Sequence, residues 1–211
     1  MILFVGIFAI FSVSFAAHRL AENVTTMTDA NINNITVQPR VDSKDIDFSF
    51  SFNQNLVTFV RIKGEGRREA ISGNMIYDQG VWLRDLGTKQ EKLIMANGDI
   101  SFLPFAETEI FPFHEVYRFE SPRFSIDQKR IYFLVNAWVT SDALLEYDIV
   151  SQKINFVTPA NFLKVIDAGI YKGKLLINQH RYFNGGGSYD HYYIIDTQGK
   201  EIKDLGNEYE L

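Results

Sequence analysis

Cysteine is absent from the 211 residues. That excludes a disulfide scaffold, a thiolate zinc site and a thiol nucleophile together. An excess of positive charge is missing too. Twenty-one Lys and Arg stand against 26 Asp and Glu, a formal charge of −5, whereas a dedicated nucleic-acid binder ordinarily carries a basic stripe. No nucleic-acid partner is therefore expected. Charged residues make up 22% and hydrophobic ones 46%, a balance that argues against a disordered chain. No His-Glu-x-x-His, Gly-x-Ser-x-Gly or calcium-loop pattern occurs. Gly185-Gly186-Gly187-Ser188 lacks the spacing and the following Lys of a phosphate loop. Gly64-Glu65-Gly66 lacks the third Gly of a dinucleotide fingerprint and reads as a turn. No catalytic residue, metal or cofactor is assigned on these grounds.

Only one long hydrophobic run is present. Residues 1–17 (MILFVGIFAIFSVSFAA) carry no charged side chain and are followed by His18 and Arg19. Ser14 and Ala16 stand two apart, as an export cleavage site prefers, so cleavage is expected after Ala16. The run is short for a membrane span of about 20 residues. An uncleaved anchor is the alternative reading. Without disulfides, an exported chain is held by its core alone, which fits a bacterial periplasm better than a small eukaryotic secreted domain. The expected organisation is a signal peptide over 1–16, a polar lead-in or linker over 17–44, and a β domain over 45–211.

What is abundant is aromatic: 18 Phe and 10 Tyr, a strand-favouring bias. From Asp45 onward, short β-rich runs recur between turn residues. Ile46, Phe48, Phe50 and Phe52 alternate with Asp47, Ser49 and Ser51, so the four apolar residues are predicted on one face. Leu56–Val60 alternates less cleanly and reads as a strand buried on both faces. Predicted turns include Asp78-Gln79-Gly80, Asn97-Gly98-Asp99, Asp127-Gln128-Lys129 and Tyr171-Lys172-Gly173. Lys63, Arg67 and Arg68 read as a solvated hairpin tip. No window sustains a helical apolar period over three turns. Strands at 8–12-residue spacing indicate an all-β sandwich, barrel or propeller.

An internal repeat narrows this. Val81-Trp82-Leu83-Arg84-Asp85, Leu144-Leu145-Glu146-Tyr147-Asp148 and Tyr193-Ile194-Ile195-Asp196 are each an apolar strand ending in Asp, followed by a short polar turn and another strand. An Asp there can accept hydrogen bonds from the backbone of the turn it opens. Upstream, Ser121-Pro122-Arg123-Phe124-Ser125-Ile126-Asp127-Gln128-Lys129-Arg130-Ile131-Tyr132-Phe133 resembles the S-P-x-F-S-P-D-G-K-x-I-Y-F repeat of the WD40-like β-propellers of the periplasmic TolB type. Ile126 and Gln128 stand where that repeat has Pro and Gly. The resemblance is good over 121–157 and weaker over 74–95 and 162–205. It implies a propeller-like array of antiparallel four-stranded meander sheets, about four blades over Asp45–Leu211, with closure left open. The wide gap between Asp85 and Asp148 implies an insertion at 97–119 with a hairpin of its own.

Two connections are expected to emerge on one face: Ala137–Asp142, and an eleven-residue loop from His180 to Asp190 containing the triple Gly. That face would carry Trp138, Asp142, His180, Arg181, Tyr182, Phe183, Tyr189, Asp190 and His191, aromatics and Arg of the kind that make binding hot spots. The expected role is a non-enzymatic, exported protein that binds a protein or cell-envelope component through this rim. Two alternatives are a hydrolase or lyase built on His180, Asp190 and His191 with or without a metal, and a structural scaffold. If the leader is cleaved, intact-mass spectrometry of the exported protein gives a chain starting at Ala17, and a mature form retaining Met1 means an anchor.

Overall fold

The computed structural model describes residues 43–68, 75–99, 115–138 and 141–207. The predicted leader, nearly all of the lead-in and residues 100–114 of the predicted insertion lie outside them. Every described element is a strand. A first sheet has the order β1 (Ser43–Phe50), β2 (Leu56–Arg68), β3 (Met75–Asp85), β4 (Glu91–Ala96). β5 (Gly98–Asp99) pairs with β6 (Glu115–Val116) as a two-stranded ribbon. A second sheet runs β7 (Phe119–Phe124), β8 (Arg130–Asn136), β9 (Asp142–Asp148), β10 (Ile154–Pro159). A third runs β11 (Phe162–Val165), β12 (Leu175–Tyr182), β13 (Ser188–Ile195), β14 (Glu201–Gly206). All pairings are antiparallel. The meander of four-stranded sheets is the predicted fold, and β5–β6 is the base of the predicted inserted hairpin. Three such sheets lie among the described residues.

The second sheet is the centre of the packing. In β8, Ile131, Phe133 and Val135 point into one core with Val60, Val81 and Met95 of the first sheet. Tyr132 and Leu134 point the other way, into a core with Leu163, Leu175, Ile177, Tyr193 and Ile195 of the third. Strand alternation makes this division, since successive side chains leave opposite faces. All six residues Ile131–Asn136 are buried. The first strands of the sheets, β1, β7 and β11, come together, with β7 packed beside both of the others. An open hollow of about 410 Å³ lies among them, lined in part by Phe50, Phe52, Phe124, Ile126, Phe162 and Lys164.

The turns repeat with the sheets. Asp85 Oδ1 accepts from the amides of Gly87 and Thr88 at 2.9 and 2.7 Å. Asp148 Oδ1 accepts from Val150 and Ser151 at 3.0 and 2.7 Å. Asp196 Oδ1 accepts from Gln198 and Lys200, both at 2.9 Å. These bonds hold Asp85 and Asp148 below the usual carboxylate range. The other turn repeats as well, in a copy that the sequence reading missed. Ser125 Oγ donates to Asp127 Oδ1 at 2.6 Å and accepts from the Arg130 amide at 3.0 Å. Ser51 Oγ donates to Asn53 Oδ1 at 2.8 Å and accepts from the Leu56 amide at 2.9 Å. Gln54 and Gln128 take the same left-handed conformation, φ 55° and 59°.

Three local expectations are corrected. Ile46, Phe48, Phe50 and Phe52 do not share a face. Asp47 has φ 52° in a bulge of β1, which resets the alternation. Ile46 turns toward the core between the first two sheets, Phe48 meets Phe59 on the opposite face, and Phe52 lies in the turn, 88% exposed. Asp78-Gln79-Gly80 is no turn. β3, of 11 residues, passes straight through it, hydrogen-bonded to the 13-residue β2. Gly64-Glu65-Gly66 likewise lies inside β2 as an irregularity between Lys63 and Arg67, while Arg67 and Arg68 are the exposed last residues of β2, paired with Ile76 and Met75 beside the connection to β3. Leu56–Val60 is buried on both faces as expected, with Val57 through Val60 at 2% exposure or less.

The face of the first sheet that looks away from the second is covered by charge. Arg61 bonds Asp45 and Glu91, each at 2.6 Å, and Arg84 bridges the same two carboxylates. Both guanidiniums lie over the Phe59 ring, at 5.1 and 4.7 Å. The arginines hold the Glu91 carboxyl down at about 2, and the carboxylates raise Arg61. One residue from each of four strands is thus tied across the sheet, and Phe59 beneath is fully buried.

Gly199 closes the last turn with φ 84°, and a β-carbon built there would stand 2.5 Å from the Val157 carbonyl oxygen of the second sheet. Gly199→Ala is therefore expected to cost about 1–3 kcal/mol in denaturant unfolding. Gly185→Ala, where such a carbon meets nothing within 4 Å, is expected to stay within about 0.5 kcal/mol.

Candidate functional site

The predicted eleven-residue loop is mostly strand. The β12–β13 ladder continues pair by pair through Gln179 with His191, His180 with Asp190, Arg181 with Tyr189 and Tyr182 with Ser188. Only residues 183–187 form the loop, closed by the Phe183 amide on the Gly187 carbonyl at 3.1 Å. Gly186 and Gly187 take φ 93° and 85° there, a conformation that glycine adopts without strain. Tyr, His and Arg therefore extend the hairpin where a wide loop was expected. The sequence cue of three glycines marked the tip and not the length of the connection.

Strand geometry then sorts the candidates onto two faces. On the side facing the second sheet stand Gln179, Arg181, Tyr189, His191 and Tyr193. Their rings form a ladder: Phe183 to Tyr189 at 4.5 Å between centroids, Tyr189 to His191 at 5.9 Å, and His191 stacked on Tyr193 at 4.7 Å. Arg181 donates to Gln179 Oε1 at 2.8 Å and to the Tyr193 hydroxyl at 3.1 Å, with its guanidinium 5.6 Å from the Tyr193 ring centroid. Tyr193 and Ile177 belong to the core between the second and third sheets, so the ladder is rooted in packed structure. On the other side, His180 Nδ1 lies 3.2 Å from Asp190 Oδ1 and its ring meets Tyr182 edge-on at 5.2 Å. At the far end Tyr182 is 64% and Phe183 53% exposed.

His180 and His191 thus point to opposite faces of one ribbon. The expected alternative site of His180, Asp190 and His191 is not assembled, because residues of odd and even position leave a strand on different sides. His191 instead meets Asp204 of β14, with Nε2 to Oδ1 at 2.6 Å. Asp204 was not foreseen. It lies thirteen positions on, and only the β13–β14 register brings it there. Its carboxyl is held below the usual range by the His191 bond and by the Gly206 amide. Among the described residues no group of three His, Asp or Glu is placed to hold a metal ion.

Trp138 and Asp142 do not join this cluster. Trp138 packs against the core between the first and second sheets. Asp142 is buried, accepts from Arg118 Nη2 at 2.7 Å, and its amide donates to Asn161 Oδ1 at 2.8 Å. Burial pushes its carboxyl up, and Arg118 opposes the shift. Asp142 therefore ties the link between β10 and β11 to the second sheet. Of the nine rim candidates, seven form the hairpin and its faces.

The chain is similar in fold to several solved β-propellers. The β-propeller domain of the Trilobed protease from Pyrococcus furiosus matches 79% of this chain and 43% of its own, at 16% identity and TM-score 0.50. An acylaminoacyl peptidase from Pyrococcus horikoshii matches 77% of this chain and 25% of its own, at 17% identity and TM-score 0.49. TolB from Acinetobacter baumannii matches 77% and 32%, at 15% identity and TM-score 0.41. The chain spans less than half the length of each. No family model and no curated protein sequence matches. At these identities the likeness is one of fold, a propeller-like arrangement.

The His191 bond gives a direct test. Carboxyl-detected NMR titration is expected to find Asp204 titrating below the ordinary aspartate range, and to find it moved up toward that range in His191→Ala.

Proposed function

We propose that this chain is a non-enzymatic, exported binding module that holds a protein or cell-envelope component on the end of the β12–β13 hairpin. The observation that carries the reading is the pairing of exposure with support. Tyr182 and Phe183 stand 64% and 53% exposed at the tip, and Phe183 is backed by Tyr189, His191 and Tyr193 in a stack that ends in the core. Rings held in place before binding lose little freedom when a partner covers them, so more of the buried area appears as affinity. Arg181 lies along the same ladder, and aromatic residues with Arg are the groups that dominate interface energies. Each histidine of the hairpin engages a different carboxylate on a different face, a pattern that suits support of the ribbon better than shared acid–base work.

Export rests on the apolar run at 1–17 and its small residues at 14 and 16. Among the described residues no helix is long and apolar enough to cross a membrane.

The double variant Tyr182→Ala/Phe183→Ala tests the hairpin. Affinity capture from envelope extract is expected to lose at least about tenfold of partner recovery, since truncating a hot-spot aromatic costs upward of about 2 kcal/mol. The unfolding midpoint is expected to stay near wild type. Equal recovery by variant and wild type overturns the assignment. Loss of a turnover activity in His180→Ala/His191→Ala with the fold retained would overturn the non-enzymatic reading.

A further inference from the structure

Asparagine followed by glycine occurs twice, as Asn97-Gly98 and Asn184-Gly185. Such a pair is chemically labile. The amide nitrogen of the glycine can attack the side-chain carbonyl of the asparagine before it, and glycine has no β-carbon to shield the approach. Attack needs two freedoms. The side-chain carboxamide must be free to turn onto its own backbone, and the glycine amide must be free of a hydrogen bond. The fold holds one copy and leaves the other free.

Asn97 is held. Its Nδ2 donates to the Tyr77 carbonyl at 2.6 Å, its Oδ1 accepts from the Gln79 amide at 3.1 Å, and its own amide donates to the Gln79 carbonyl at 3.0 Å. The carboxamide is thus clamped at both ends on β3, and Gly98 is paired with Val116 in the β5–β6 ribbon. Asn184 is free. Asn184 and Gly185 are exposed in the turn that closes the β12–β13 hairpin. The bonds of that turn run from the Phe183 amide to the Gly187 carbonyl and from the Gly186 amide to the Phe183 carbonyl. Among the described residues, neither the Asn184 carboxamide nor the Gly185 amide makes a hydrogen bond. A β-carbon built on Gly185 meets nothing within 4 Å, so the space around the attacking nitrogen is open.

We infer that Asn184 is a modification site, converted without an enzyme to aspartate and isoaspartate at the hairpin tip while Asn97 is spared. The Gly185 amide gives up its proton to solvent, and its nitrogen bonds to Cγ of Asn184. The Cγ–Nδ2 bond breaks, ammonia leaves, and a cyclic succinimide remains. Water then opens the ring. Cleavage between Cγ and the Gly185 nitrogen gives aspartate. Cleavage between the Asn184 main-chain carbonyl carbon and that nitrogen gives isoaspartate, with the main chain running through Cγ. The sum is amide plus water to carboxylate plus ammonium, and nothing is oxidised or reduced. Either product puts a negative charge next to Phe183. Isoaspartate also lengthens the main chain by one carbon inside the bonds that close the turn. Phe183 stacks on Tyr189 at 4.5 Å, so the outer end of the ring ladder feels the change. One consequence rests on the hairpin being the binding end: modification weakens the hold on the partner as the protein ages.

The test ages the purified full chain in warm neutral buffer and follows both sites by peptide mass spectrometry. Trypsin places Asn184 in the peptide 182–200 and Asn97 in the peptide 93–118, each with a single Asn. Asn184 is expected to convert at least about tenfold faster than Asn97, the factor that about 1.4 kcal/mol of barrier gives, with isoaspartate among the products. In chain held unfolded in urea the two sites are expected to convert at comparable rates. Gly185→Ala, which has room for its β-carbon, is expected to slow conversion at Asn184 several-fold. Comparable rates in the folded chain, aspartate as the sole product, or a Gly185→Ala chain converting at the wild-type rate overturns the proposal. A preference that persists undiminished in urea overturns the role given to the fold. Fresh and aged chain then go into the capture from envelope extract. Lower recovery by the aged chain is expected, and equal recovery overturns the effect on binding. If fresh chain recovers no partner either, the binding reading fails, and the peptide result alone decides the modification.

Discussion

The structure depends on the two-sided burial of the second sheet. β8 sends Ile131, Phe133 and Val135 to one neighbour and Tyr132 and Leu134 to the other, with every residue from Ile131 to Asn136 out of water. At about 25 cal/mol per Å² of apolar surface removed, such a strand is where a protein without cysteine finds its cohesion. The first and third sheets are held by resting against it. Their inner strands meet β7, and their hairpins extend outward from that anchored base. The β12–β13 ribbon keeps its aromatic ladder in place because Tyr193 and Ile177 are already part of the shared core.

The two ends of the array are finished by different physics. The outward face of the first sheet is layered, with an aromatic floor and a lid of two arginines and two carboxylates drawn from four strands. Exposed ion pairs contribute little singly. Here the guanidiniums also cover Phe59, so charge and apolar burial are coupled in the same side chains. On the outward face of the third sheet Leu176 and Ile194, at 0% and 1% exposure, are buried by apolar packing with Ile166, Phe162, Tyr171, Tyr192 and Leu205.

Much of the fold was legible in local chemistry. The aspartates that open the turns at 85, 148 and 196 were readable because an Asx turn needs a side-chain acceptor at one position relative to a strand end, and the bonds are present in all three copies. The copy at Ser51-Phe52-Asn53-Gln54 was equally readable against Ser125-Ile126-Asp127-Gln128, and was obscured by the alternating run in front of it. That run concealed a bulge. Asp47 and Ser121, four residues before the two serines, both take positive φ, a backbone feature with no fixed side-chain signature. Glycine punctuation misled in the other direction. Gly64, Gly66 and Gly80 look like turn residues, yet they sit inside two long strands, Gly80 paired with Arg61 and the other two in a bulge between Lys63 and Arg67.

The candidate site divides in the same way. By itself the sequence determined that aromatics, Arg and His cluster around a glycine-rich connection between two strands, because composition and turn chemistry are local properties. Tertiary structure alone decided the rest. The register of β12 against β13 separated His180 from His191, since one step along a strand reverses the side-chain direction. The pairing of β13 with β14 brought Asp204 to His191. Packing between sheets withdrew Trp138 and Asp142 into structural roles and left Tyr182 and Phe183 in water. Each of these outcomes turns on which backbone lies beside which, a matter of long-range pairing that no short stretch of residues encodes.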